Sequence, residues 1–121
     1  MYPIDLHVHT TASDGKHPPS EIVRMAGEGR MKVVAITDHD TVNGLPEAIA
    51  EARKFPSLTV IPGVEISTDV PAGEVHVLGY FVNYADGDDL HSSFTRHPHN
   101  LRWGMLAVRG GRVDVEVYRI H

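Results

Sequence analysis

His7 and His9 are two residues apart in the alternating run Ile4-Asp5-Leu6-His7-Val8-His9. On a strand that spacing sends both side chains to one face, with α-carbons about 7 Å apart. Two imidazoles so placed suit a single metal ion, although an isolated His-x-His is more often a pair of half-exposed surface histidines. Its neighbours along the chain change the balance. Thr37-Asp38-His39-Asp40 and Gly63-Val64-Glu65 each follow an apolar run, and His76 lies between Val75 and Val77. A histidine in such a run needs a partner or a metal, because its ring nitrogens are costly to bury alone. Asp14, in Ser13-Asp14-Gly15, has the composition of a tight turn, where aspartate usually only shapes the backbone. It joins the candidates because its turn follows the first strand and can fold over that strand's end. His17, just beyond, reads as a surface residue. Imidazole and carboxylate donors without sulfur suit zinc, manganese or iron. The chain has no cysteine, which removes disulfides, iron–sulfur clusters and thiolate zinc sites.

The elements that must position these residues are legible. After the strand over 4–9 and a polar loop over 10–18, Pro19 and Ser20 sit where a helix starts. Ile22, Val23, Met25 and Ala26 give it an apolar face, and Gly27 and Gly29 are expected to end it. Residues 32–37 are nearly all apolar, the mark of a strand buried on both faces. An exit loop over 38–43 precedes a helix whose Leu45, Ala48, Ile49 and Ala52 share one face, with Pro46 in its first turn and Phe55-Pro56 closing it. Residues 58–61 form the third strand and 64–68 continue extended. Pro71-Ala72-Gly73 turns the chain into a strand over 75–82. The order β-α-β-α-β-β opens a parallel α/β architecture. Sites in such folds gather at the carboxyl ends of the strands, where His7, His9, His39 and Glu65 fall.

The 121 residues, 41% hydrophobic and 22% charged, are expected to form one soluble domain at most. No apolar run approaches the 18 residues of a membrane span. The opening MYPIDLHVHT has no basic and apolar leader pattern, so a cytoplasmic location and no membrane partner are expected. A net charge of −5 argues against gripping nucleic acid by bulk charge. The charge is uneven. Residues 1–90 hold 6 basic and 14 acidic side chains, whereas residues 91–121 hold 5 and 2, all five being arginine, with four of the nine histidines. We therefore expect two regions: a metal-binding part over 1–90 and an atypical tail over 91–121, divided near Asp88-Asp89. Within the tail, Val113 to Val117 alternates as a terminal strand would. Trp103, Val113, Val115, Val117 and Ile120 are its candidates for core. No phosphate-cradling Walker loop is present, and Ser13, Ser20, Ser57, Ser67, Ser92 and Ser93 lack the setting of a nucleophile elbow.

Four motifs, DLHVHTTASDG at 5–15, ITDHDTVNGLPEA at 36–48, IPGVEIST at 61–68 and EVHVLGYF at 74–81, in this order and spacing resemble the polymerase-and-histidinol-phosphatase (PHP) family. Its small stand-alone phosphoesterases, which act on nucleotides and RNA ends, are the nearest branch, and the resemblance covers about residues 3–83. It implies the N-terminal part of a distorted (β/α)7 barrel with up to three divalent metal ions. Carried over by residue, it makes His7 and His9 ligands of one metal and Glu65 a carboxylate bridging two. It assigns His76 to the second metal, and Asp14 with His39 to the third. Asp38 and Asp40 flank His39 and are expected to orient an imidazole or a water, although they also read as plain loop carboxylates. Catalysis is expected to rest on Glu65, His39 and Asp40. The implied activity is phosphatase or phosphodiesterase chemistry, a metal-activated hydroxide attacking a phosphorylated small molecule or the end of a short RNA.

The chain also departs from the family pattern. The family barrel needs about twice this length and draws further ligands from its second half, a histidine before a proline and a later Asp-x-His. His97-Pro98-His99 follows Thr95-Arg96 rather than an apolar strand. Asp5-Leu6-His7 belongs to the first strand, and Asp89-Leu90-His91 comes before the His-Pro instead of after it. The expectation is that residues from about 90 onward are not the family's own continuation, as from a frameshifted or prematurely ended reading frame. The alternative is a genuine short variant whose tail or second copy completes the coordination. The competing functional class is a non-catalytic metal-binding fragment, paired through its uncovered barrel edge as a homo-oligomer. A PHP module attached to a DNA polymerase ranks low, since no polymerase region is present.

Overall fold

The computed structural model describes residues 3–70, 73–82, 84, 105–109 and 112–116. The elements are β1 (Ile4–Val8), α1 (Pro19–Glu28), β2 (Val33–Ile36), α2 (Leu45–Ala52), β3 (Thr59–Val70), β4 (Gly73–Tyr80), β5 (Met105–Arg109) and β6 (Arg112–Glu116). The six strands form one sheet in sequence order. β1, β2 and β3 are parallel, whereas β4, β5 and β6 each run antiparallel to the strand before. The result is a mixed α/β fold whose sheet is curled into a half-barrel.

Strand alternation divides the core into two layers. Val34 and Ile36 of β2 and Val64 of β3 pack with Val23 and Ala26 of α1 and Leu45 and Ala48 of α2. Ala35 of β2 turns the other way, to Leu78 and Tyr80 of β4 and Ile61 of β3. β2 is apolar throughout because both of its faces are covered, as expected from its composition. The second layer lies inside the curl. A flat sheet would hold β1 and β4 about 14 Å apart, beyond the reach of one side chain, yet Tyr80 Oη donates a hydrogen bond to the Leu6 carbonyl at 2.8 Å. Burial, with the negative charges of Asp5 and Glu65, pushes the Tyr80 phenol above its ordinary range, so it stays a donor. Gly63 permits the same close approach. A Cβ there would lie 2.9 Å from both the Gly79 carbonyl oxygen and Thr37 Cγ2, and 3.0 Å from the Ile36 carbonyl oxygen.

Several details differ from the sequence expectation. α1 continues through Gly27 and is capped at Gly29, because the Phe55 ring lies against Gly27 where a side chain would otherwise stand. The third strand and its extension are a single strand to Val70, held by pairing with β4 from Gly63 onward. In β1 the alternation does not separate a dry face from a wet one. Ile4 and Leu6 are 48% and 40% exposed, since among the described residues β1 is an edge strand with only β2 beside it. β1 also carries a bulge: Asp5 pairs with Val34 and Val8 with Ile36, so Leu6 and His7 together face Ala35. β6 matches the alternation seen near the end of the sequence, whereas β5 was not expected. The division near Asp88-Asp89, the His97-Pro98-His99 and Asp89-Leu90-His91 segments, and Trp103, Val117 and Ile120 lie outside the described residues.

Gly63→Ala is expected to lower stability by about 1–3 kcal/mol through overpacking against neighbouring backbone. Tyr80→Phe should cost about 1 kcal/mol for the lost hydrogen bond. Urea unfolding of the two variants measures both.

Candidate metal centre

The centre begins where the parallel strands end. Beyond β1 the chain closes on itself, with the Thr10 carbonyl accepting the Ser13 and Gly15 N–H groups at 3.1 and 2.8 Å and the Thr11 N–H donating to the His17 carbonyl at 2.9 Å. Gly15 lies so close to the His9 carbonyl that a Cβ would overlap it, and this contact places Asp14 beside His9. The loop is anchored by Asp38, which is 2% exposed. Its Oδ1 accepts the Thr10 N–H at 2.6 Å and the Ser13 hydroxyl at 2.7 Å, and its Oδ2 accepts the Thr10 hydroxyl at 2.8 Å. Three donors make this a satisfied buried carboxylate.

After β2 the chain pairs once more with β3. His39 bridges Glu65 in parallel, the Asp40 N–H donates to the Glu65 carbonyl at 2.9 Å, and the Glu65 N–H donates to the Asp38 carbonyl at 3.0 Å. Asp40 turns with a φ of 52°, a region that aspartate tolerates better than most side chains, and its Oδ1 accepts the Ser67 N–H at 2.9 Å. His76 on β4 stands opposite Ser67, which shares a sheet face with Glu65, so its ring falls diagonally across from that carboxylate.

The side chains converge on Glu65, 4% exposed. Its Oε2 lies 2.9 Å from His7 Nε2, 2.6 Å from His9 Nε2 and 3.5 Å from His39 Nδ1, and its Oε1 lies 3.7 Å from His76 Nδ1. His9 Nδ1 lies 2.7 Å from Asp14 Oδ1, and His39 Nε2 is 3.4 Å from Asp14 Oδ2. Three groups thus bring candidate donor atoms within 4.8 Å of one another: His7, His9 and Glu65; His9, Asp14 and His39; and His39, Glu65 and His76. Burial would raise the Glu65 carboxyl, but the hydrogen bond from His7 and the charges of His7, His39 and His9 outweigh it and hold it below its ordinary range. Asp14 is also lowered, chiefly by its hydrogen bond to His9.

The donor set fits divalent ions. Nitrogen and carboxylate atoms about 2.0–2.2 Å from one ion lie roughly 3–3.5 Å from each other, and His7 Nε2 and His9 Nε2 are 3.1 Å apart. Every candidate named from the sequence as a ligand is in this cluster. The flanking carboxylates differ from expectation: Asp38 meets Thr10 and Ser13 rather than an imidazole, and Asp40 holds the Ser67 backbone. His17 stands apart, 3.6 Å from Glu21 on α1. Thr10, Ser13, Ser67 and Tyr80 support the site without any motif in the sequence marking them. The readable signal was Asp38 itself, since a carboxylate ending a buried strand needs donors nearby.

A family model described as PHP domain matches residues 5–119. A 5'-3' exoribonuclease of Salmonella typhimurium is 48% identical over 82 residues, 67% of this chain and 28% of the relative. A 3',5'-nucleoside bisphosphate phosphatase of Chromobacterium violaceum is 36% identical over 114 residues, 94% of this chain and 35% of the relative. Among solved structures, a protein from Bifidobacterium adolescentis described as a metal-dependent phosphoesterase superposes with a TM-score of 0.63 at 33% identity, covering 75% of this chain and 30% of that one. This chain therefore spans between 28% and 35% of the length of these relatives.

Because the fold favours ionised Glu65, its contribution to stability is present above the ordinary carboxyl value of 4.5 and is lost as pH falls through the lower folded value. In metal-free protein, urea unfolding between pH 7 and 3 should show a steeper acid-side loss for the wild type than for Glu65→Gln.

Proposed function

This chain belongs to the PHP domain family, and on that premise we propose that its carboxyl-end cluster holds divalent metal ions for phosphoester hydrolysis. The observation that carries the reading is one nearly buried oxygen, Glu65 Oε2, within 3.5 Å of ring nitrogens from three histidines. Around a buried carboxylate such a convergence of lone pairs is stabilised by a cation.

His7 and His9 would hold one ion together with Glu65 Oε2. Glu65 Oε1, 3.7 Å from His76 Nδ1, would hold a second ion together with that histidine. Asp14 and His39 would hold a third. When bound, zinc, manganese or iron supplies Lewis-acid polarisation of phosphate oxygens and a lowered pKa for water. Asp38 acts earlier in the chain of support by fixing the loop that presents Asp14. Asp40 fixes the backbone that follows Glu65, and in this reading Glu65, His39 and Asp40 would be the residues that carry the hydrolysis. The substrate class we propose is a phosphorylated nucleoside or the end of a short RNA, and the compartment is the cytoplasm. Among the described residues no helix is long and apolar enough to cross a membrane.

A second reading, metal binding without turnover, is favoured by the openness of the cluster. The side chains of Asp14 and His7 are 65% and 39% exposed, and water reaching the ions weakens the fields that drive the chemistry. Metal-loaded protein is expected to hydrolyse bis(p-nitrophenyl) phosphate, with chelation abolishing the activity and His9→Ala lowering it by at least about 100-fold. Metal bound in a defined ratio with no turnover of that ester, of adenosine 3',5'-bisphosphate or of a 5'-phosphorylated tetraribonucleotide would establish the second reading.

A further inference from the structure

The end of the sheet opposite the metal cluster carries an open cavity of about 370 Å3, within the range of small-ligand sites. It lies where α1 and α2 end and β3 begins, and its lining includes Arg30, Lys32, Lys54, Phe55, Met31 and Leu58. Residues 1–90 hold only six basic side chains against fourteen acidic ones. Three of the six line this cavity, and no acidic residue does.

The placement of these cations is not explained by capping alone. Neither α1 nor α2 has a basic residue in its last turn, the usual place for one that answers the helix dipole. Lys54 reaches Glu51 at 3.1 Å, but among the described residues no carboxylate is paired with Arg30 or Lys32. Arg30 stands just past the α1 cap with a φ of 60°, a conformation that normally calls for glycine at that position. The turn it makes closes α1, the Arg30 N–H donating to the Gly27 carbonyl at 3.2 Å and the Met31 N–H to the Ala26 carbonyl at 2.9 Å, and it sets the Arg30 side chain at the cavity. Phe55 lies against the Gly27 backbone and, half-buried, gives its remaining surface to the cavity.

We propose that this cavity binds a phosphorylated nucleoside, with the base against Phe55 and the phosphate among Arg30, Lys32 and Lys54. A chain this acidic can hold an anion only where cations are gathered locally. Guanidinium and ammonium groups suit phosphate, and a flat aromatic ring suits a base of any identity. The nucleoside phosphate comes either from a free mononucleotide or from a trailing part of an RNA chain. The site is separate from the metal centre and does not depend on that centre's activity.

The test is calorimetric titration of the chelated, metal-free 121-residue chain with AMP, adenosine, inorganic phosphate and a tetraribonucleotide. AMP should bind more tightly than adenosine or phosphate alone. Arg30→Glu with Lys54→Glu, both exposed, should weaken AMP by about 10- to 100-fold, with circular dichroism showing the fold kept although the Lys54 contact to Glu51 is lost. Phe55→Leu should weaken AMP by about tenfold or more while leaving phosphate binding alone. Tighter binding of the tetranucleotide than of AMP, lost in the same variants, assigns the site to RNA, and the reverse order assigns it to free nucleotide. Undetectable AMP binding at millimolar concentration, or AMP affinity unmoved by the double charge reversal, overturns the proposal. Either result leaves the hydrolytic reading of the metal centre standing, because that reading is tested with metal present and on other residues.

Discussion

A single carboxylate, Glu65, organises this molecule. Removing a charged oxygen from water is costly unless opposite charge or donors surround it, and here the compensation comes from imidazoles on three other segments. β1 and the residue just beyond it bring His7 and His9, the turn after β2 brings His39, and β4 brings His76. Each of those segments must sit at one register relative to β3 for the cluster to close. The parallel pairing of β1 with β2 and of β2 with β3, the return bridge from His39 to Glu65, and the antiparallel pairing of β4 meet that requirement.

The packing supports the same geometry from beneath. Both faces of β2 are filled, one by the two helices and the other by residues inside the curl, so the strand that leads to His39 has little freedom to shift. Gly63 lets β2 and β4 approach β3 closely, and Tyr80 ties β4 to β1 across the concave side. Curling and site assembly are therefore one event. The same inward curvature that allows Tyr80 to reach Leu6 brings the strand ends, with their histidines, toward one point.

Polar residues divide into two kinds by what their burial demands. Glu65 is buried among groups that bind cations, whereas Asp38 is buried among hydroxyl and amide donors of its own chain. The two carboxylates look alike in sequence, each coming after an apolar run. Their neighbours make one the hub of a histidine cluster and the other a clamp on the loop that carries Asp14. The charges on the far side are also segregated, with Arg30, Lys32 and Lys54 away from the anionic cluster, so the molecule presents two chemically distinct ends.

Local periodicity determined much of this from sequence alone. The two-residue repeat placed His7 and His9 on one face, the apolar run of β2 announced a covered strand, and the three- and four-residue spacings of Leu45, Ala48, Ile49 and Ala52 marked a helix. Such patterns depend on backbone geometry that neighbouring residues impose on each other. The parts that stayed hidden depend on contacts between distant segments: the Thr10 and Ser13 donors to Asp38, the bulge in β1, the continuation of α1 through Gly27, the exposure of Ile4 and Leu6 at an edge. The sequence thus determined which side chains could do chemistry and which way most of them point along their own strands. Only the tertiary structure decided that they meet around one oxygen, because that meeting is set by strand register and sheet curvature, quantities that no short window of residues contains.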